Sequence, residues 1–112
     1  MEYTKIIIHH SACPSINGKG YDYLVMKDGL ILSSPEPYEI NCLHLCLEGD
    51  YNTIQTHLNE NREQLFIFQK LLLRLFRVFK LSSDQVFAHS NTCPGEHFPW
   101  DELVISTTDG YH

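Results

Sequence analysis

Ile6-Ile7-Ile8-His9-His10-Ser11 is the stretch on which the fold turns. Three consecutive β-branched residues are stiff at χ1 and favour a buried, pleated strand. The strand runs into two histidines. Neighbouring side chains on a strand point to opposite faces, so only one of His9 and His10 can join a given site. Beyond them, Cys13-Pro14-Ser15-Ile16-Asn17-Gly18-Lys19-Gly20 is dense in turn formers and reads as a loop.

Working outward, Tyr21 to Met26 reads as a strand. Lys27-Asp28-Gly29 reads as a hairpin turn and Leu30-Ile31-Leu32 as its return. Ser33 to Pro37 is a loop. Leu43, Leu45 and Leu47 alternate with Cys42, His44, Cys46 and Glu48, a period-2 strand with one apolar face. Gly49-Asp50-Tyr51-Asn52 stops it. A helix is expected from about Asn59. Its stripe of Leu65, Phe68, Leu72, Leu75 and Phe79 has helical spacing, and Ile67, Leu71, Leu73 and Val78 widen it toward a helix largely buried or partly covered by a partner. Lys70, Arg74 and Arg77 form its solvated face. Ser82-Ser83-Asp84 breaks the helix, and Gln85 to Ala88 leads into His89. Ser90 to Pro99 reads as a loop and Trp100 to Ile105 as a short last helix. The pattern predicts an α/β class: one domain over 1–112, with a central mixed sheet flanked by the long helix and the short terminal one. A chain of 112 residues suits one domain with one core.

Composition excludes several classes. The formal net charge of −6 argues against nucleic-acid binding, where a basic face supplies most of the affinity. No apolar run reaches the roughly 20 residues of a membrane span. The longest, Leu65 to Phe79, is broken by Gln69, Lys70, Arg74 and Arg77. The N-terminal Met1-Glu2-Tyr3-Thr4-Lys5 lacks the features of a signal peptide. Synthesis in the cytoplasm, with a separate export or lysis route to any target outside, is therefore expected. The four cysteines, Cys13, Cys42, Cys46 and Cys93, suggest no disulfide framework. Cys42 and Cys46 would lie about 13 Å apart along a strand, too far for a bridge. Two or three of the four read as small core residues.

His89 and Cys93 share one loop, close enough to converge on one metal ion. A catalytic zinc takes three protein ligands and keeps a fourth position for water, and two His with one Cys is an accepted set. One histidine of the first strand, with His89 and Cys93, would complete such a set.

The order of four segments adds to this. Ile6-Ile7-Ile8-His9-His10-Ser11 comes first. Gly20-Tyr21-Asp22-Tyr23-Leu24-Val25-Met26-Lys27-Asp28-Gly29 follows, then Cys42-Leu43-His44-Leu45-Cys46-Leu47-Glu48-Gly49-Asp50-Tyr51. Phe87-Ala88-His89, with Cys93-Pro94-Gly95-Glu96-His97-Phe98-Pro99-Trp100, closes the series. In this order they resemble the type-2 N-acetylmuramoyl-L-alanine amidases, which share a fold with peptidoglycan recognition proteins and phage lysozyme-type amidases. The resemblance covers nearly the whole chain, and Cys-Pro-Gly followed by Phe-Pro-Trp is its most specific part.

The resemblance implies a zinc ion held by His9, His89 and Cys93. It places Tyr21 where a hairpin tyrosine assists the chemistry, and Asn91 where a Lys or Thr often stands. The implied reaction is hydrolysis of the amide between the lactyl group of N-acetylmuramic acid and L-Ala. The partner would be peptidoglycan or a muropeptide. The alternative is a non-catalytic peptidoglycan-binding module of the same fold. His10 and His97 are expected to be structural or surface residues. The sequence departs from the family pattern in the short Cys13 to Gly20 loop, which replaces a helix, and in the trimmed Ser33 to Asn41 stretch. It departs again in the short His89 to Cys93 gap, in His44 where Gly is common, and in Cys46 where some branches have Glu.

Overall fold

The computed structural model describes residues 3–13, 21–35, 39–52, 58–90 and 92–100. Asn91, the loop from Pro14 to Gly20 and all of the expected last helix beyond Trp100 lie outside the described residues.

Strand β1 spans Lys5–His10, β2 Tyr23–Val25, β3 Ile31–Ser33, β4 Cys42–Leu47 and β5 Val86–Ala88. They form one sheet in the order β3-β2-β4-β1-β5. β1 runs parallel to β4 and β5, β2 runs parallel to β4, and the β2–β3 hairpin is antiparallel. The sheet is therefore mixed, as the sequence predicts. The single long helix of the described residues, α1, spans Leu58–Phe79. A 3-10 turn at Ser83–Gln85 leads into β5, and the Ser82 N–H donates to the Gln85 side chain, 2.9 Å.

Alternation along β1 and β4 gives the sheet two unlike faces. Ile6 and Ile8 of β1, Leu43, Leu45 and Leu47 of β4 and Val25 of β2 form one core with Phe68, Leu72 and Leu75 of α1. The opposite face carries Ile7 and His9 of β1, and His44 and Cys46 of β4. The register sets Ile7 beside His44 and His9 beside Cys46. One strand pair thus supplies both the core and the polar face.

The helix is less buried than its wide stripe suggests. Phe68, Leu71, Leu72, Leu75 and Phe76 are buried, but Leu73 and Val78 are 46% and 59% exposed. A helix against one sheet face covers only one arc of its circumference. Leu73 and Val78 fall outside that arc and border the exposed Lys70, Arg74 and Arg77.

A buried polar link joins the helix to the sheet. Gln64, fully buried, donates to the carbonyls of Val25 and Glu48 and accepts from the Tyr51 hydroxyl at 2.6 Å. Tyr51 in turn holds the segment that carries Cys93. Its carbonyl accepts from the His97 N–H, 2.9 Å, and its ring packs edge-on against Phe98. Gly95, at φ +118, passes so close that a Cβ there would overlap the Tyr51 backbone. Only glycine fits, which gives the Cys-Pro-Gly motif a steric reason.

Candidate metal centre

Three segments converge where the polar face of the sheet meets its upper edge. β1 ends in His9, β5 delivers His89, and a tight turn returns Cys93. The His89 N–H donates to the Ile8 carbonyl at 3.2 Å, which fixes it beside β1. Ser90 and Cys93 exchange backbone hydrogen bonds of 2.9 and 3.3 Å, which folds the short gap into a turn. Cys93 Sγ then lies 3.7 Å from His9 Nδ1, and the His9 and His89 ring centroids are 4.5 Å apart.

A fourth donor joins them. Cys13 Sγ lies 3.6 Å from His89 Nδ1, and one ligand atom each from His9, Cys13, His89 and Cys93 all lie within 4.8 Å of one another. At the usual Zn–S and Zn–N bond lengths, an N···S edge of a tetrahedral site is about 3.5 Å. Both measured N···S contacts fit that edge. The same distances suit S–H···N hydrogen bonds, so the fit to zinc rests also on the donor chemistry. Two imidazoles and two thiols at one point are a borderline-soft set suited to zinc. Cys13 is thus both a member of the buried cysteine cluster and a possible metal donor. Cys46 packs against Cys13 and Cys93 outside the donor set, and burial pushes its thiol up to about 12.

Burial, with His44, His89 and His10 nearby, pushes His9 down to about 3. Its ring is therefore neutral at neutral pH, with a lone pair free for a cation. Burial pushes the Cys93 thiol up to about 12, although the His10 backbone offsets part of this. Binding of a metal would displace the Cys93 proton, since the thiolate is the ligand form.

The ring of His9 is held from behind. His9 Nε2 lies 2.8 Å from His44 Nδ1, and His44 Nε2 lies 2.7 Å from Glu39 Oε1. One assignment of ring protons satisfies both contacts and leaves His9 Nδ1 facing the other donors. His44 donates from Nε2 to the Glu39 carboxylate and accepts at Nδ1, and His9 donates from Nε2. Such outer partners orient a ligating imidazole and raise its basicity. His44→Ala is expected to weaken zinc binding by about 10–100-fold. A competition titration against a chelator reads it, and unchanged affinity would separate this chain of hydrogen bonds from the metal.

His10, on the core face, is only 1% exposed. Its Nδ1 accepts from the Tyr51 N–H at 2.9 Å, and it also hydrogen-bonds the backbone of Thr92. It therefore braces the turn that carries Cys93. His97 is 41% exposed, 3.7 Å from Glu96. Tyr21 is half-buried and packs against the cluster of Cys13, Cys46 and Cys93.

The sequence reading missed Cys13, His44 and Glu39. A signal for Cys13 was present: His9 and Cys13, like His89 and Cys93, stand in His-x-x-x-Cys spacing. His44 and Glu39 carried none, because the β1–β4 register is not written in either strand alone.

No family model matches the chain, and no curated protein matches it in sequence. Solved structures do match in shape. The N-acetylmuramoyl-L-alanine amidase LysC from Clostridium intestinale aligns with a TM-score of 0.65 at 20% identity, over 92% of this chain and 83% of that one. The chain has the fold of that amidase. PGRP-Hd from Alvinella pompejana shares it, with a TM-score of 0.62 at 13% identity over 91% of this chain and 80% of that one. So does a variant of Drosophila PGRP-LB in complex with tracheal cytotoxin, at 0.64 and 15% over 98% of this chain and 81% of that one. The amidase and PGRP fold expected from the sequence is therefore the fold of this chain. Among the described residues no helix is long and apolar enough to cross a membrane.

Proposed function

We propose that the chain is a zinc-dependent N-acetylmuramoyl-L-alanine amidase acting on peptidoglycan or muropeptides, with 1–112 as its single domain. The observation that carries this reading is the convergence of His9, His89 and Cys93 from three segments of an amidase-type fold. These three residues would hold the zinc. Zinc bound there supplies a water of pKa near roughly 7 and polarises the carbonyl under attack. The protein's own part is orientation. Glu39 and His44 fix the ring of His9, and His10 and Gly95 fix the turn of Cys93. Tyr21, which packs against the cysteine cluster, is assigned the hydrogen bond to the developing oxyanion. Asn91, outside the described residues, is assigned a second, uncharged donor from its amide.

The other reading, a non-catalytic peptidoglycan-binding module, has one observation in its favour. A fourth possible donor, Cys13, lies within 4.8 Å of the other three ligand atoms, and a fourth protein ligand would take the position a catalytic site keeps for water. Product analysis decides between the two. Digestion of peptidoglycan is expected to give new free amino termini on L-Ala and no new reducing sugar ends, read by mass spectrometry. New reducing ends would mark a glycosidase. No new ends, with binding retained, would mark the module.

A further inference from the structure

We propose that Cys13 is a fourth protein ligand of the metal, so that the resting site is a closed His2Cys2 site and water gains the fourth position only when Cys13 leaves. The inference rests on the metal-binding part of the preceding proposal, and it assigns that site a latent state.

The placement of Cys13 is built into the backbone. Past β1 the chain does not wander off. The Ser11 N–H donates to the Leu47 carbonyl at 2.9 Å, and the Ala12 N–H to the Gly49 carbonyl at 3.2 Å. The Ser11 hydroxyl donates to the Gly49 carbonyl and accepts the Gly49 N–H at 2.8 Å. The Cys13 N–H then donates back to the His10 carbonyl at 3.0 Å, closing a turn. That turn lifts the side chain of Cys13 over the end of β1 and toward His89.

Chemistry then favours the sulfur. A metal centred among His9, His89 and Cys93 would have the Cys13 thiol within bonding reach, already aimed at His89. A thiolate is charged and soft, and it outcompetes a neutral water for a zinc-type cation. Two His-x-x-x-Cys pairs, one from each end of the chain, complete a tetrahedron of the structural-zinc kind. Opening the site breaks the Cys13 sulfur–metal bond and lets one water in. The released thiolate takes a proton from solvent, so the exchange balances without an oxidant or reductant.

The test counts sulfur ligands and does not depend on turnover. Zinc-loaded wild-type protein, measured by X-ray absorption, is expected to show two sulfur and two nitrogen neighbours. With cobalt(II) in place of zinc, thiolate-to-metal charge-transfer absorption in Cys13→Ser should fall to about half that of wild type, since one of two thiolates is gone. Cys42→Ser, whose sulfur lies outside the donor set, should keep the full intensity. If the preceding proposal also holds, Cys13→Ser should hydrolyse peptidoglycan faster than wild type. One sulfur neighbour in the wild-type zinc protein, or equal charge-transfer intensity in wild type and Cys13→Ser, would overturn the Cys13 assignment and leave a three-ligand site standing. Failure of the wild type to bind either metal would overturn the site itself.

Discussion

Replacing His89 with alanine is expected to weaken the chain's hold on zinc and remove its amidase activity together. His89 is the cleanest of the proposed ligands to remove. It is exposed at the end of β5, whereas His9 is 2% exposed and hydrogen-bonded to His44. Deleting the imidazole of His89 therefore opens no core cavity, and its effect is read at the metal. Zinc affinity should fall by more than the roughly 100-fold that loss of an outer partner costs. Activity should fall by at least about 10³-fold, or about 4 kcal/mol in the barrier. His9 with two thiolates would still offer three donors. With two thiolates where the open His9, His89 and Cys93 site has one, that set leaves the metal a poorer Lewis acid. Elemental analysis and the L-Ala amino-terminus assay read the two effects. Stability supplies an internal check, because a ligand of the folded state alone stabilises it by mass action. Wild type should melt well above His89→Ala when zinc is present, and the two should converge after chelation. Zinc affinity in His89→Ala equal to that of wild type, read by chelator competition, would show that the ligand assignment is wrong.

The parts of the fold legible in the sequence were those with a strong local period. Ile6 to Ile8 and the Leu43, Leu45, Leu47 alternation gave the two central strands. The hairpin was marked by Lys27-Asp28-Gly29, and α1 starts at Leu58, one residue before the expected start. What escaped was set by pairing. The apolar positions of α1 suggest a largely buried helix with a solvated face at Lys70, Arg74 and Arg77, but one sheet face covers only one arc, so Leu73 and Val78 are exposed as well. At the site, His89 and Cys93 were visible because they share a loop. Alternation showed that only one of His9 and His10 could join them, and the family resemblance picked His9. In the structure His10 lies on the core side of β1 and accepts from the Tyr51 N–H, while His9 lies among the possible donors on the other face. His44 was seen on the right face but without a role, since its partner His9 is fixed only by the parallel β1–β4 register. Cys13 carries no assignment in the sequence because its approach to His89 depends on a turn held by Ser11 and Gly49, two residues far apart in the chain.

Tyr21→Phe, read where the chemical step limits turnover, is expected to lower kcat by about 10²–10³-fold with zinc retained, the usual cost of one oxyanion donor. The position of Tyr21 is set by its neighbour. Asp22 is clamped to β4 in both directions: its N–H donates to the His44 carbonyl at 2.7 Å, and its carboxylate accepts the His44 N–H at 2.7 Å. The tyrosine is thereby held against the cluster of Cys13, Cys46 and Cys93, on the same face as His9. Phenylalanine keeps the ring and its packing and removes only the O–H. A residue that merely packs would tolerate the change, so the substitution separates the two roles. The donor is proposed to act on charge that develops in the tetrahedral state, so the loss should fall on kcat, with KM little changed. The closed site bears on the design of the measurement. If departure of Cys13 limits turnover in wild type, a slower chemical step could be masked there. The comparison is therefore made in the Cys13→Ser background as well, where the full 10²–10³-fold is expected to show. Asn91→Lys, which adds a charged donor at the other assigned position, should be neutral or raise turnover in the same background. Equal kcat for Tyr21 and Phe in Cys13→Ser, with zinc bound in both, would leave Tyr21 a packing residue and would not touch the metal site.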